Sequence, residues 1–344
     1  MTIARTLSLF IAAALLAPVG CKAPDGGKRV AFLLSTLQEE RYQKDKRYFE
    51  ERAKQLGLVV TTLAADNSNA RQLAQLEDAL ARGARVIVVQ PTDSAAARRY
   101  VKIAHRHGAK VIAYDRAIMS KKLDFYVSHD SYQVGVLQAK AAIAATKGKG
   151  NYVILSGQEG HSVANEITRG YKETLQPYLD RGDIKIVFEH SHSAWSPEQA
   201  LSSVEDAISR TKGNIQAILA NNSGMARGAV RAVENAKLTG VFIAGADADA
   251  INVNYVCEGK QSVEVLKDIK PLAYRAAEVA KAFIAHESLP KGSTISLGGG
   301  NVPLAAVRVG LVTPKTVKSL LIDSGFFSKK DLPGCAGKLA LNAR

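Results

Sequence analysis

The sequence predicts an α/β protein of two Rossmann-like, doubly wound parallel-sheet lobes joined by a three-segment hinge. Short apolar runs alternate with amphipathic stretches from Lys28 onward, and the same alternation restarts near residue 151. Three extended pieces without helical period then pass between the halves. The length of 344 residues exceeds one small core and suits two α/β domains. The expected lobes are 28–127 with 268–306, and 128–267 with 307–344.

In the first half, apolar strands are expected near 29–34, 57–63, 85–89 and 110–114, with helices over 41–56, 69–83 and 94–108. Tyr42, Phe49, Ala53 and Leu56 recur at helical spacing and make one apolar face. Gly57, Gly83 and Gly108 fall at or near the helix ends, where a left-handed cap favours glycine. Short loops between strand and helix imply parallel pairing with right-handed crossovers. In the second half, strands are expected near 151–155, 184–188, 216–220 and 241–245, and helices near 163–178, 197–211 and 223–236. The crossings between lobes are read at Asp124–Asp130, Ser262–Lys267 and Ala306–Val312. Gly292 and the run from Gly298 to Gly300 mark a surface loop between the last two.

The first residues, 1–21, have the pattern of an export signal: a basic start at Arg5, an apolar run from Leu7 to Ala17, and small residues before Cys21. The apolar run is too short to span a membrane. The residues before Cys21 resemble a lipobox, although Pro18 departs from it; Cys21 is the expected lipidation site, with simple secretion as the alternative. The remaining cysteines, Cys257 and Cys335, are a disulfide candidate in an exported protein, or two separate thiols.

The composition is that of an ordinary soluble globular protein, 47% hydrophobic and 23% charged. The net charge of +14 is spread over scattered pairs such as Arg98-Arg99 and Lys121-Lys122. That pattern argues for a solvated basic surface and against a nucleic-acid partner. There is no Gly-x-Gly-x-x-Gly after the first strand, no Walker-type Gly-Lys-Ser/Thr, no Gly-x-Ser-x-Gly and no His-Glu-x-x-His. His190 and His192 have the spacing of a metal pair but lack neighbouring ligands, so a solvated loop is the better reading. No enzyme activity, cofactor or metal is expected.

What remains is planar polar groups and aromatics at strand ends, where open α/β sheets bind ligands. Val111–Tyr114 runs into Asp115 and Arg116, and Val241–Ala246 runs into Asp247. Arg41 and Tyr42 follow the first strand, Asn222 follows another, and Lys267 lies on a crossing. Trp195, the only tryptophan, sits in a polar turn. This set suits sugar recognition: carboxylates and amides take pairs of hydroxyls, cations donate to oxygens, and an aromatic face covers C–H groups. Tyr42 fits a core position equally well, and Lys267 alone is undecided.

The segments Glu40–Asp45, Val111–Arg116, Asp124–Ser128, Leu137–Lys140 and Asp247–Asp249 resemble periplasmic D-xylose-binding proteins, in the ribose/galactose group of sugar-binding proteins of ABC transporters. The similarity runs from about Lys28 to about Phe327. It implies the periplasmic binding protein type 1 fold, with the positions of Arg41, Asp115, Arg116, Asn222, Asp247 and Lys267 bonded to a pyranose and those of Tyr42 and Trp195 stacked on it. Where that family places an Asp and an Asn that read hydroxyls, this chain has His161 and Val163, and Ser131 replaces an Asn. His161 is carried as a ligand-binding candidate, and the departures are expected to change which sugar binds.

The resemblance thus implies a monomeric periplasmic or cell-surface protein, attached to the membrane only through a lipid anchor. It would bind a monosaccharide, D-xylose or a related aldose, and deliver it to the permease and ATPase subunits of an ABC importer. A sugar-sensing receptor for a histidine kinase or chemoreceptor is the alternative that the residues do not separate. A repressor of the same fold is disfavoured by the export signal.

Overall fold

The computed structural model describes residues 27–341 apart from Lys291. The export signal and the Cys21 lipidation site lie outside the described residues. The chain builds β1 (Arg29–Leu34), α1 (Glu40–Gln55), β2 (Val59–Ala64), α2 (Asn69–Ala81), β3 (Val86–Val89), α3 (Arg98–Arg106), β4 (Lys110–Tyr114) and β5 (Phe125–His129). It continues with α4 (Ser131–Thr146), β6 (Gly150–Ser156), α5 (Ser162–Asp180), β7 (Ile184–Ser191), α6 (Pro197–Thr211), β8 (Ala217–Ala220), α7 (Ser223–Asn235), β9 (Phe242–Ala246), α8 (Ala250–Glu258) and β10 (Val263–Lys267). Last come α9 (Ile269–Ala285), β11 (Ser293–Leu297), β12 (Gly300–Val307), β13 (Val309–Val312) and α10 (Ala336–Leu341).

Two sheets result, ordered β11-β12-β5-β4-β3-β1-β2 and β13-β10-β9-β8-β6-β7. The first five strands of each half therefore take the same doubly wound order, 2-1-3-4-5. The winding reverses between β1 and β3, and again between β6 and β8, which opens a crevice at the carboxyl ends of both sheets. The central strands are continuous apolar runs buried on both faces, as helix-covered parallel strands must be. In the first lobe Phe32 packs on Phe49 of α1 with ring centroids 4.2 Å apart, and Tyr114 meets Phe32 edge-on at 5.1 Å.

The sheets are parallel except at one edge of each, where β11 pairs antiparallel with β12 and β13 with β10. The glycine-rich stretch expected as a surface loop is the two-residue turn of the β11–β12 hairpin. Gly298 and Gly299 have φ of 58° and 82°, the left-handed values such a turn needs. The predicted crossings also differ from the structure: Phe125–His129, Val263–Lys267 and Ala306–Val307 are strands hydrogen-bonded within a sheet. The chain changes sheets just beyond them, at Asp130, Asp268 and Arg308. Extended apolar sequence cannot by itself separate a paired strand from a hinge segment.

The C-terminal stretch folds back on α8. Cys257 and Cys335 are disulfide-bonded, 78 residues apart in sequence, in a cluster with Val253, Val312, Val317, Leu321 and Leu332. Among the described residues no helix is long and apolar enough to cross a membrane.

Candidate functional site

The two sheets end in matching turns. β4 finishes at Tyr114, and Asp115 takes φ 60°; β9 finishes at Ala246, and Asp247 takes φ 97°. In both turns the backbone N–H of the acid still donates to the neighbouring strand, Asp115 to Val127 O at 2.8 Å and Asp247 to Val265 O at 3.0 Å. Left-handed backbone is uncommon for an L-residue outside glycine, with Asp and Asn the usual exceptions, and it clusters where a site needs a particular side-chain direction. The Asp115 turn is held further by Tyr126 Oη and Ser128 Oγ, which both donate to Asp115 O, at 2.9 and 2.8 Å.

Between these turns lies a narrow pocket lined by Glu39, Arg41, Tyr42, Asp115, Arg116, Val163, Trp195, Asn222, Asp247 and Lys267. Both lobes contribute. Arg41, in the first turn of α1, donates from Nη2 to Asp115 Oδ1 at 3.2 Å and from Nη1 to Asp247 Oδ1 at 3.2 Å. One guanidinium thus joins an acid from each sheet. Lys267, the last residue of β10, stands 3.2 Å from Asp247 Oδ1 and 3.9 Å from Asp115 Oδ1. Burial opposes ionisation of Asp115, but Arg41 and then Lys267 outweigh it and hold the carboxyl well below the usual range.

The other side chains are anchored just as firmly. Arg116 donates from Nη2 to Tyr42 Oη at 2.9 Å and from Nη1 to Pro91 O at 3.2 Å. Asn222 caps α7, its Oδ1 accepting from Met225 N at 2.8 Å. Trp195 is buried in a turn where Ala194 and Trp195 have φ of 52° and 57°, with its ring against Gly157. A Cβ on Gly157 would lie 2.4 Å from that ring, so glycine is required there.

Nine residues were expected at the ligand: Arg41, Tyr42, Asp115, Arg116, His161, Trp195, Asn222, Asp247 and Lys267. The structure gathers eight of them around the pocket, and His161 stands one layer behind. Its Nδ1 accepts from Trp195 Nε1 at 2.8 Å, and its Nε2 lies 2.7 Å from Thr92 O. A carbonyl only accepts, so Nε2 carries the hydrogen and the ring is neutral. Burial, reinforced by Arg116, depresses His161 to a pKa of about 3. The Thr92 contact joins the lobes, since Thr92 follows β3 and His161 follows β6. Ser94 N to Gly160 O at 3.3 Å and Ala117 N to Ser162 Oγ at 2.8 Å lie on the same seam.

Several contributors escaped the sequence reading. Glu39 lines the pocket, and its buried Oε2 has no hydrogen-bond partner among the described residues. Gln90 donates to Asp115 Oδ2 at 3.2 Å, and Asp45 lies 3.4 Å from Arg41 Nε while accepting from Tyr114 Oη. Burial raises Asp45 to about 6 against the pull of Arg41. Glu264 sits beneath the second lobe's half of the site. Its Oε2 accepts from Ser223 Oγ at 3.0 Å and from Ala248 N at 3.1 Å, the residues directly after Asn222 and Asp247. Burial pushes this carboxyl up to about 8. Local signals existed for three of them, since Glu39 and Asp45 flank Arg41 on and before α1 and Gln90 directly follows β3; Glu264 showed only its place on β10 with Lys267. His192, considered with His190 as a metal pair, instead has Nδ1 on Ser156 O at 3.0 Å and Nε2 on Ser203 Oγ at 2.9 Å.

The arrangement suits a small neutral polyol. Its charges are mutually compensated, its donors and acceptors are fixed before a ligand arrives, and Tyr42 and Trp195 supply aromatic surface. The chain is 33% identical over 305 residues to the D-xylose-binding periplasmic protein of Escherichia coli (strain K12), covering 88% of this chain and 92% of that protein. It is 32% identical, with the same coverage, to the D-xylose-binding periplasmic protein of Haemophilus influenzae. A solved carbohydrate transporter solute binding protein from Chloroflexus aurantiacus, in complex with D-glucose, is similar at a TM-score of 0.82 and 29% identity, covering 88% of this chain and 97% of that one. Residues 30–288 match the periplasmic binding protein domain family. The chain belongs to that family of periplasmic binding proteins.

Proposed function

We propose that this chain is an extracytoplasmic solute-binding protein that closes its two lobes on one monosaccharide and delivers it to an ABC sugar importer. The ligand class is D-xylose or a related aldose. The observation that carries the reading is the sharing of Arg41 between Asp115 and Asp247, one acid from each sheet, at the mouth of two topological switch points.

In this reading the sugar takes its place among the charged groups, with carboxylates accepting from hydroxyls while Arg41, Arg116 and Lys267 donate to oxygens. Each such bond is charge-assisted, and several together with ring stacking suffice for micromolar affinity, about −8 kcal/mol. Closure is selection among lobe arrangements, because contacts to both lobes exist only in the closed form. The chain changes sheets at Asp130, Asp268 and Arg308, three adjacent places that let the lobes bend without losing register. The location is periplasmic or at the cell surface, with Cys21 as the lipidated residue.

Isothermal titration calorimetry against a panel of pentoses and hexoses tests the proposal. Saturable heat from at least one aldose at micromolar concentration is expected. Heat from none of them overturns it.

A further inference from the structure

Arg98-Arg99 and Lys121-Lys122, two basic pairs well apart in the sequence, meet in the fold. Both line a surface groove on the first lobe, and Lys102 and Arg106 extend its basic lining along α3. Arg98 Nε donates to Met119 O at 2.9 Å, which ties α3 to the stretch that carries the second pair. All six cations are exposed. Among the described residues none of them forms an ion pair, and no acid lines the groove. The acids of the adjoining segments are committed elsewhere. Asp124 accepts from His105 Nε2 at 2.7 Å, Lys110 Nζ at 2.8 Å and Val111 N at 2.9 Å, and Asp93 Oδ1 accepts from Ala95 N at 2.8 Å and Ala96 N at 2.6 Å. Among the cations, Ala95 and Ala96 offer small apolar surface, and Met119 stands 37% exposed, a large apolar side chain left facing solvent.

We propose that this groove docks the first lobe on an anionic bilayer surface, with its cations among the phosphate headgroups and Met119 at their boundary with the acyl chains. The contact is separate from sugar binding, since the groove and the sugar pocket share no lining residue. Long, flexible cations around an exposed apolar side chain suit a fluid surface of negative charge, where no single geometry has to be met. A protein partner is less well matched. Protein interfaces centre on buried aromatic anchors, and no aromatic side chain lines this groove. The same lack leaves nothing on which the bases of a nucleic acid could stack. Each Lys or Arg near an anionic surface strengthens partitioning about fivefold, so loss of four of the six should weaken it at least about 100-fold.

The test is co-sedimentation of the chain from Lys22 onward, which keeps both lobes and carries no acyl chain, with two kinds of vesicle. One is an equal mixture of phosphatidylglycerol and phosphatidylcholine, and the other is phosphatidylcholine alone. The protein is expected to sediment with the first and not the second at about 0.1 M salt, and to be released at about 1 M, where charges are screened within about 3 Å. Replacing Arg99, Lys102, Lys121 and Lys122 together by Gln should weaken that binding at least about 100-fold. Replacing Lys140, Lys147, Lys329 and Lys330 by Gln removes the same charge from exposed places outside the groove and should weaken it far less. The inference is overturned if the native protein treats both vesicles alike, or if the two variants lose binding equally, which would assign the effect to net charge. Binding to poly-L-glutamate with none to the phosphatidylglycerol vesicles would also overturn it, in favour of an acidic protein partner.

Discussion

His161 makes sugar affinity depend on pH, and the size of the effect follows from where the ring sits. In the closed arrangement it is buried between Trp195, Arg116 and the Thr92 carbonyl, with a pKa of about 3 against an ordinary value of 6.5. Thr92 belongs to the first lobe and His161 to the second, so opening breaks their bond and returns the ring to water. The depressed value fixes the sign. Above about pH 6.5 neither form binds the proton and closure is at full strength. As pH falls from there toward 3, the open form takes up a proton that the closed form refuses. Affinity should drop by about 2 kcal/mol, or roughly 30-fold, between pH 7.5 and pH 5. Asp115 does not share this window, since Arg41 and Lys267 hold it well below the usual range after overcoming its burial. Asp45, at about 6, does titrate there, but its partners Arg41 and Tyr114 lie in its own lobe and stay with it on opening. Calorimetry with one bound sugar at pH 5, 6, 7 and 8, on the native protein and on His161→Gln, isolates the effect. The variant cannot titrate and should give the flatter profile. Identical profiles for the two proteins would refute the argument.

Replacing Asp115 or Asp247 by Ala should weaken sugar binding at least about 100-fold while the far-ultraviolet dichroism is unchanged, because each removes charge-assisted acceptors and unpairs Arg41. Near-native affinity in both variants would place the ligand elsewhere. Glu264 acts on Asn222 and Asp247 through Ser223 and Ala248. Its folded value of about 8 lies above the unfolded 4.5, so its stabilisation is complete below pH 4.5 and fades as pH rises toward 8, by about 1.4 kcal/mol per pH unit. Glu264→Gln should flatten that limb of a thermal-melt series and keep sugar affinity, whereas Glu264→Ala should lose affinity. Opening the Cys257–Cys335 disulfide by Cys257→Ser with Cys335→Ser frees a loop spanning 78 residues and should cost about 4 kcal/mol in a denaturant titration. No change in midpoint would show that the C-terminal segment is held by its apolar cluster alone.

The fold was legible because its signal is local. Val86–Val89 and Val111–Ala113 are uninterrupted apolar runs, and Gly57, Gly83 and Gly108 all adopt the left-handed φ their places at helix ends suggested. Hairpins and hinge points were less legible, since pairing is a long-range property. Asp124–Asp130 looked like a free crossing, yet Phe125–His129 is a strand with partners on both sides. The candidate site was legible where an acid, a base or an amide followed a strand and lined the pocket, as with Asp115, Arg116, Asn222 and Asp247. It was not legible for Gln90, which directly follows β3, or for Asp45 and Glu264, which lie on α1 and β10 with Arg41 and Lys267; these three support pocket residues from behind, and no local pattern marks a supporting partner. His161 shows the opposite limit. Its place in the sequence suggested a ligand contact, but a ring with two nitrogens is satisfied by whatever lies nearest, and here Trp195 and Thr92 lie nearer than the pocket.

The matched turns explain how two similar lobes come to share this site. In each lobe the acid after the fourth strand leaves the sheet with positive φ while its N–H stays bonded to the fifth strand, at Val127 in one lobe and Val265 in the other. That combination fixes the acid's backbone to the sheet and turns the side chain out of the strand's alternation. A lone carboxylate buried this way would bear the full desolvation penalty or take up a proton. Arg41 and Lys267 remove the penalty for both acids together, and they come from different elements, α1 and β10. The cations thus belong to the pair of lobes and to neither alone. Separating the lobes would force each acid to find water again, so a ligand that bonds to the same acids competes only for positions that closure has already organised.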